Sequence, residues 1–292
     1  MSRAELLEGT AAGRPEEVLV VRRFGPWARL THGVLMVAVF GLVFTGMPLK
    51  YAWAGWARPL MALWGGPRGA GLFHRGFAVA FFGSAAMHLI GLAVAAVRRR
   101  FPPVRGPDAI LPRAEDVRHV VQYLRHVRGR GPRPRFGRYT YWEKFDYLAE
   151  AWGLLVIGLT GLVMWFPETS ARFLPGWAVN AALIFHSYEA LLAAAFLFAI
   201  HFFNTHLRPE VFPADPVIFT GRIPLDEVRE RYPGWYERIV AGAEPIERAR
   251  GPSCPLRFRV VCVAFVSLGI AMLLLVMSAA LAEAVAALLE VL

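Results

Sequence analysis

The sequence predicts an all-α integral membrane protein, in which a transmembrane four-helix bundle is followed by a fifth, C-terminal transmembrane helix. Three observations support this class. The 292-residue chain is 56% hydrophobic, and its mean hydropathy of +0.43 is too high for a soluble domain. Its apolar residues are gathered in five stretches of about 17–25 residues or a little more, the length that a helix needs to cross a bilayer. Its basic residues are concentrated between particular stretches.

The distribution of basic residues predicts the topology of these five spans. The spans cover residues 30–48, 74–97, 147–166, 178–205 and 258–282. Five Lys and Arg residues precede the first span, thirteen lie in 98–144 and nine in 208–259, whereas the other two loops contain only four. By the positive-inside rule, the N-terminus and both long loops are cytoplasmic. We therefore expect a multi-pass protein of the bacterial inner membrane, surrounded by lipid. Because topology explains the net charge of +10, nucleic acid is not expected as a partner.

The segments outside the spans complete the predicted organisation. It consists of a cytoplasmic N-terminal segment (1–29), a four-helix domain (30–207) with a cytoplasmic loop (98–146), a cytoplasmic strap (208–257) and the fifth helix (258–292). The loop contains AEDVRHVVQYLRHVR, which predicts an amphipathic helix on the cytoplasmic membrane surface. Its apolar positions at helical spacing are Val117, Val120, Val121, Leu124 and Val127. The strap has Pro-marked turns and one short predicted helix around 225–231, which is too little for an enzyme domain.

Two histidine pairs in the apolar stretches predict the chemistry of the bundle. His74 and His88 are 14 residues apart in the second span, and His186 and His201 are 15 apart in the fourth. Fourteen helical residues climb about 21 Å and return to nearly the same face. Since alternate spans run in parallel, His74 would face His186 at the periplasmic end, and His88 would come level with His201. A histidine in a membrane core needs a partner, and imidazole is a common axial ligand of haem iron.

This arrangement is typical of a membrane cytochrome b with two bis-histidine haems. No CxxCH motif occurs, so the haem is expected to be non-covalent, b-type haem. His32, at the start of the first span, could also reach the haem held by His201. The partner of His201 is therefore either His32 or His88, and the surplus histidines leave room for a third haem.

Further residues of the spans suit a haem site. Arg75 beside His74 is a natural partner for haem propionates. Glu189, one turn after His186, is an ionisable group inside a span and hence a candidate functional residue, with a salt bridge to Arg75 as the alternative. Glycines of the first three spans, among them Gly46 and Gly161, would serve either a flat porphyrin or close helix packing.

These residues resemble a known family, the b-type haem subunits of respiratory formate dehydrogenases (the gamma subunit) and nickel–iron hydrogenases. The likeness covers roughly residues 18–240. It is carried by VRRFGPWARLTHGVLMVAVFGLVFTGMPL, LFHRG, GRYTYWEKFDYLAEAWGLLVIGLTGLVMWFP, LIFHSYEALLAAAFLFAIHFFNTHLRPE and YPGWYERI. The resemblance implies one haem between His74 and His186 and another between His32 and His201. The family spaces its fourth-helix pair by 14 residues, whereas this chain spaces it by 15.

The resemblance also implies partners for the electrons. It places a site for menaquinone or ubiquinone near the cytoplasmic haem, at Thr140, Glu143 and Lys144. The strap and fifth helix are more similar to a branch of the family associated with multihaem c-type cytochromes. The expected redox partner is therefore a periplasmic subunit, either an iron–sulfur protein or a multihaem cytochrome c.

We therefore expect a dihaem cytochrome b that moves electrons between the quinone pool and a periplasmic redox subunit. The alternative is a membrane transporter or anchor without redox function, whose histidines relay protons or bind a metal such as zinc. Histidines 14–15 residues apart argue against zinc, since the ligands of one site converge within about 2 Å of the metal.

Overall fold

A computed structural model describes residues 17–98, 106–209, 211–212, 214–250 and 256–291 of the chain. These residues form two compact units. The sheet unit contains the described residues of Met1–Arg29, Leu92–Leu148 and Pro216–Leu256. The bundle unit contains those of Leu30–Gly91, Ala149–Asp215 and Arg257–Leu292.

The helices and strands of the described residues are numbered in chain order. The helices are α1 (Pro26–Lys50), α2 (Ala57–Leu63), α3 (Gly66–Val97), α4 (Ala114–Val127), α5 (Tyr141–Trp165), α6 (Pro167–Ser170), α7 (Trp177–Phe196), α8 (Val217–Thr220), α9 (Leu225–Arg231), α10 (Pro233–Val240) and α11 (Leu256–Val291). Helix α7 continues as π-helix over Leu197–His201 and Phe203–Leu207. The strands are β1 (Glu17–Arg22), β2 (Arg222–Pro224) and β3 (Glu247–Arg250).

Five of these helices are long and apolar enough to cross a membrane: α1, α3, α5, α7 with its π-helical continuation, and α11. The five predicted spans are thereby confirmed, and the fold is a helical membrane bundle. Many of the large apolar side chains on these helices are exposed, as a surface that faces lipid requires. Helix α5 begins at Tyr141, six residues before its predicted span, so the segment YWEKFD is helical as well.

Two glycines allow the first three spans to pack closely. A Cβ on Gly41 of α1 would lie 2.3 Å from the ring of Phe77 on α3, and a Cβ on Gly158 of α5 would lie 3.1 Å from the ring of Phe82 on α3. These two aromatic rings occupy the space that a larger residue would need. Small residues therefore bring the helices together here, as is common in membrane proteins.

The fifth helix, α11, packs against α1 and α7. Phe265 of α11 contacts Phe40 of α1 and Phe202 of α7, both with ring centres 5.4 Å apart. Further along α11, Glu283 accepts hydrogen bonds from the hydroxyl groups of Tyr51 (2.7 Å) and Tyr188 (2.9 Å). Lys50 is also in contact with this carboxylate, at 3.2 Å. The carboxylate therefore has partners for its charge at the edge of the span, which the sequence did not predict.

The sheet unit is built around a three-stranded antiparallel sheet in the order β2-β1-β3. Val21 of β1 pairs with Ile223 of β2, and both side chains are buried in a core with Val228, Trp235 and Ile239. The helix predicted around 225–231 is confirmed as α9. The sequence did not predict the sheet, which joins the chain before the first span to the segment between the fourth and fifth spans.

Candidate functional site

Two pairs of histidine rings face each other inside the bundle unit. The ring centres of His74 and His186 are 6.2 Å apart, and those of His32 and His201 are 6.5 Å apart. A bond from a metal ion to an imidazole nitrogen is about 2.0–2.1 Å long, and that nitrogen lies about 1.1 Å from its ring centre. Two imidazoles on opposite sides of one metal ion therefore have centres about 6.2–6.4 Å apart. The separation of His74 and His186 lies in this range, and that of His32 and His201 exceeds it by only about 0.1 Å, so each pair leaves room for one iron between its two rings.

Hydrogen bonds fix which nitrogen of His74 faces its partner. The Nδ1 atom lies 3.0 Å from the hydroxyl of Thr45, which is fully buried. This hydroxyl donates its own hydrogen to the carbonyl of Gly41, at 2.6 Å. It can therefore only accept from His74, so the proton of the imidazole is on Nδ1. The Nε2 lone pair is thereby left for a metal ion, as in most metal-binding histidines.

Hydrogen bonds also determine which nitrogen of His186 carries the proton. Its Nδ1 lies 2.9 Å from the carbonyl oxygen of Ile157, which can only accept a hydrogen bond. Thr160 is 3.4 Å from the same nitrogen and donates its hydrogen to the carbonyl of Val156, at 2.5 Å. Both rings of this pair therefore have the tautomer that suits an axial ligand.

A repeated Thr-Gly dipeptide produces these two similar settings. Thr45-Gly46 lies on α1 and Thr160-Gly161 on α5. A Cβ on Gly46 would lie 3.0 Å from the imidazole of His74, and a Cβ on Gly161 would lie 3.1 Å from that of His186. Each threonine thus orients an imidazole while the next residue leaves room for its ring. The two threonines were not among the predicted site residues, although the repeat of this dipeptide in two spans is a visible signal in the sequence.

The sequence left open whether His32 or His88 is the partner of His201, and the structure places His32 next to it. The ring that stands 6.5 Å from His201 belongs to His32, whereas His88 is half-buried on α3. Within the described part of the chain, the Nδ1 atom of His32 is buried and has no hydrogen-bond partner. A buried polar nitrogen without a partner is costly unless a group absent from the protein chain satisfies the ring. This observation fits a bound haem, as does the separation of the rings.

The π-helical continuation of α7 explains how a spacing of 15 residues can work. In a regular α-helix, 15 residues turn about 1500°, which is about 60° beyond four full turns, whereas 14 residues stop about 40° short. One π-helical turn takes up one additional residue. Because Leu197–His201 is such a turn, His201 has nearly the rotation that a spacing of 14 would give from His186.

His206 lies closer to the second pair than the sequence suggested. Regular helix geometry placed it about 140° away from His201, but the second π-helical turn, Phe203–Leu207, changes that relation. Its side chain is buried, packs edge-on against Phe202 and Phe265, and interacts electrostatically with His201.

Arg75 follows His74 directly and Glu189 lies one turn after His186, but the two side chains form no salt bridge with each other among the described residues. Arg75 is exposed, with its guanidinium group 5.8 Å from the ring centre of Trp165. Glu189 is half-buried one turn after His186. The exposed Arg75 keeps hydrogen-bond donors for a propionate.

Thr140, Glu143 and Lys144 are all engaged within the sheet unit. One oxygen of Glu143 accepts from Arg23 (2.7 Å) and the hydroxyl of Tyr232 (2.8 Å), and the other accepts from the amide (2.8 Å) and hydroxyl (3.1 Å) of Thr140. Burial alone would lower the pKa of Arg23, but the carboxylate of Glu143 raises it above its ordinary value.

Lys144 has an equally structural setting. Its ammonium group lies 2.9 Å from both carboxylate oxygens of Asp116 on α4, and both side chains are buried. A second carboxylate–cation contact is thus formed next to that of Glu143. The charges of both side chains are thus satisfied by groups of the protein chain.

Comparison with known proteins identifies the family of the bundle. Residues 23–211 match the family model described as prokaryotic cytochrome b561. No curated protein matches the chain closely enough to count as a relative. The match covers well over half of the chain and includes all four histidines of the two pairs. The chain therefore belongs to the prokaryotic cytochrome b561 family, the members of which are membrane b-type cytochromes that bind haem b and transfer electrons.

Proposed function

We propose that this member of the prokaryotic cytochrome b561 family is a dihaem protein that carries electrons between membrane quinone and a redox partner on the periplasmic side. His74 and His186 would hold one haem, and His32 and His201 the other. The observation that carries the proposal is the separation of the two ring pairs, 6.2 and 6.5 Å, because each leaves room for one metal ion and its two axial bonds.

The protein chain would orient the ligands and leave the irons closed to substrate. Bound haem supplies one-electron redox chemistry. Two histidines would hold each haem and would leave its iron no open position for a substrate. The acceptors Thr45 and Ile157 hold the imidazoles in place and increase their strength as ligands. Because His186 and His201 are 15 residues apart on one helix, the two sites are about 20 Å apart, which divides the bilayer into short electron-transfer steps.

The quinone site at Thr140, Glu143 and Lys144 is a proposal that rests on the resemblance and on the polar character of this segment. Quinone reduction consumes protons, and hydrogen-bonding groups at the start of a span can supply them. The four hydrogen bonds of Glu143 and the ion pair of Lys144 favour a structural role for these two side chains. The proposed periplasmic partner, an iron–sulfur protein or a multihaem cytochrome c, rests on the resemblance alone.

A transporter or anchor that binds zinc is the second candidate function. Structural zinc is usually held by four protein ligands and catalytic zinc by three. Among the residues that the structure describes, no group of three or more His, Cys, Asp or Glu side chains is placed to hold one metal ion. Pairs of histidines with one metal position each suit haem, because the porphyrin supplies the remaining ligands.

Haem content and spectra of the purified full-length protein test the proposal. We expect a pyridine haemochrome assay to find two b-type haems per chain, reducible by quinol. His186→Ala should remove one haem and leave the second spectrally intact, and His201→Ala should remove the other. His126→Ala, an exposed histidine on α4, is the matched control and should keep both. A colourless protein, or two haems retained in His186→Ala, would contradict the proposal.

A second comparison decides the partner of His201. We expect His32→Ala to lose the haem that His201→Ala loses, and His88→Ala to retain both. Loss of haem from His88→Ala with full retention in His32→Ala would reverse the assignment. Loss from both would support a third haem.

A further inference from the structure

Helix α4 exposes an apolar strip beside a row of arginines. The strip consists of Val117, Val121 and Leu124, which are 66%, 44% and 48% exposed. Arg118 and Arg125 follow the strip at helical spacing and are exposed as well. An exposed apolar strip is unfavourable in water. A purely apolar protein–protein interface would not have a row of arginines beside it. The combination is that of a helix lying in the headgroup region of a membrane.

A groove of about 520 Å³ lies along this face. It is lined by the apolar side chains of Val117 and Val121 and by a basic rim of Arg118, Arg125 and Arg130. The chain after α4 folds back to close one side, since the amide of Arg130 donates to the carbonyl of Arg125 at 2.8 Å.

The arginines of the rim are available for an external anion. The two acidic residues of α4 are already engaged, Glu115 with Arg113 and Asp116 with Lys144. In the described part of the chain, no carboxylate is within ion-pair distance of Arg118, Arg125 or Arg130. A groove lined by apolar side chains and unpaired guanidinium groups matches an acyl chain joined to a phosphate, because arginine binds phosphate through paired hydrogen bonds.

An ion pair connects α4, which carries the groove, to the first turn of α5. Lys144, which binds Asp116, lies in the first turn of α5, a helix that can cross the membrane. The same turn contains Tyr141 and Trp142, and such aromatic residues are enriched where a span meets the headgroups. Helix α4 is therefore fastened to the part of a span that lies at the membrane surface.

We propose that the groove of α4 binds an anionic phospholipid, with the phosphate on Arg118, Arg125 and Arg130 and the upper part of an acyl chain on Val117 and Val121. The site goes beyond the electron-transfer function and does not depend on it. It would bind the sheet unit to the lipid leaflet next to the start of α5.

The test is a lipid titration of the full-length protein in detergent, with bound lipid counted by native mass spectrometry. The probes are phosphatidylglycerol and phosphatidylcholine with identical acyl chains. Each surface arginine contributes roughly fivefold to binding of an anionic lipid surface. We therefore expect Arg118→Gln/Arg125→Gln to weaken the tightest phosphatidylglycerol site roughly 25-fold, towards the level of phosphatidylcholine. The matched control is Arg229→Gln/Arg248→Gln, which removes two exposed arginines outside the groove and should bind as the unchanged protein does.

Additional measurements distinguish a lipid site from a site for free phosphate and from a surface for self-association. Both double variants should have the unfolding temperature of the unchanged protein without lipid, because the replaced side chains are exposed. Val121→Asn, which keeps the charge, should also weaken phosphatidylglycerol, and excess inorganic phosphate should not displace the lipid. Equal binding of both lipids, equal loss in the two double variants, or displacement by inorganic phosphate would overturn the proposal. So would a Val121→Asn variant that binds lipid normally but changes its self-association.

Discussion

Glu143→Gln separates a structural role of this residue from a role in quinone binding. The carboxylate neutralises Arg23, a guanidinium group that is only 4% exposed, while Glu143 itself is 32% exposed. Removal of one partner from a buried ion pair costs about 3–5 kcal/mol. Because Glu143 is partly accessible to water, we take the lower end, about 3 kcal/mol. Glutamine keeps the size of the side chain, so the change tests the charge.

Hydrogen exchange of the sheet unit measures this loss locally. A loss of about 3 kcal/mol corresponds to a roughly 100-fold increase in exchange of the protected amides of β1 and α10, because every 1.4 kcal/mol is a factor of ten. Glu247→Gln is the matched control. Its partner Arg222 and Glu247 itself are about half exposed, with a 3.3 Å contact, and a surface pair contributes about 0–1 kcal/mol. We expect a less than roughly fivefold change there.

Quinol-driven haem reduction of the same two variants completes the comparison. A structural role leaves its rate normal at full haem content, since most molecules stay folded. Unchanged hydrogen exchange in Glu143→Gln together with slower quinol-driven reduction would refute the structural argument and support the quinone site.

The remaining predictions concern the first histidine pair, the fifth helix and the Lys144 ion pair. Gly161→Val places a branched side chain where a single Cβ would already lie 3.1 Å from the imidazole of His186. We therefore expect the loss of one haem in a haemochrome assay. Two intact haems would show that the position of the ring does not depend on this space. Glu283→Gln removes a charged acceptor from two tyrosine hydroxyls. It should lower the free energy of unfolding by about 1–3 kcal/mol, which is measured as a lower melting temperature. An unchanged melting temperature would refute the role of Glu283 in docking the fifth helix. Lys144→Met leaves Asp116 buried without its cation and should cost about 3 kcal/mol, measured as faster hydrogen exchange in α4; unchanged exchange would contradict it.

The spans could be predicted from the sequence because they depend on short-range regularities. Continuous apolar stretches identify spans, since a bilayer leaves no other partner for such surfaces. The rise of about 1.5 Å per residue then places His74 near one end of its span and His88 nearer the other. Such arguments need only the position of a residue within its own helix.

The features that the sequence did not predict depend on contacts between distant segments or on local departures from regular helix. The sheet pairs Val21 with Ile223, and strands of three to six residues give little periodic signal. The tertiary acceptor of His186, the carbonyl of Ile157, is a backbone atom and carries no sequence signature. The π-helical turn before His201 changes its rotation by about one residue, which regular helix arithmetic does not include.

The haem content of paired double variants tests the central claim most directly. If His74 and His186 hold the same iron, His74→Ala/His186→Ala loses no more haem than either single variant and retains one per chain. If His74 and His201 hold different irons, His74→Ala/His201→Ala retains none. We expect this pattern in a pyridine haemochrome assay of the purified protein. One haem retained in His74→Ala/His201→Ala, or none in His74→Ala/His186→Ala, would contradict it.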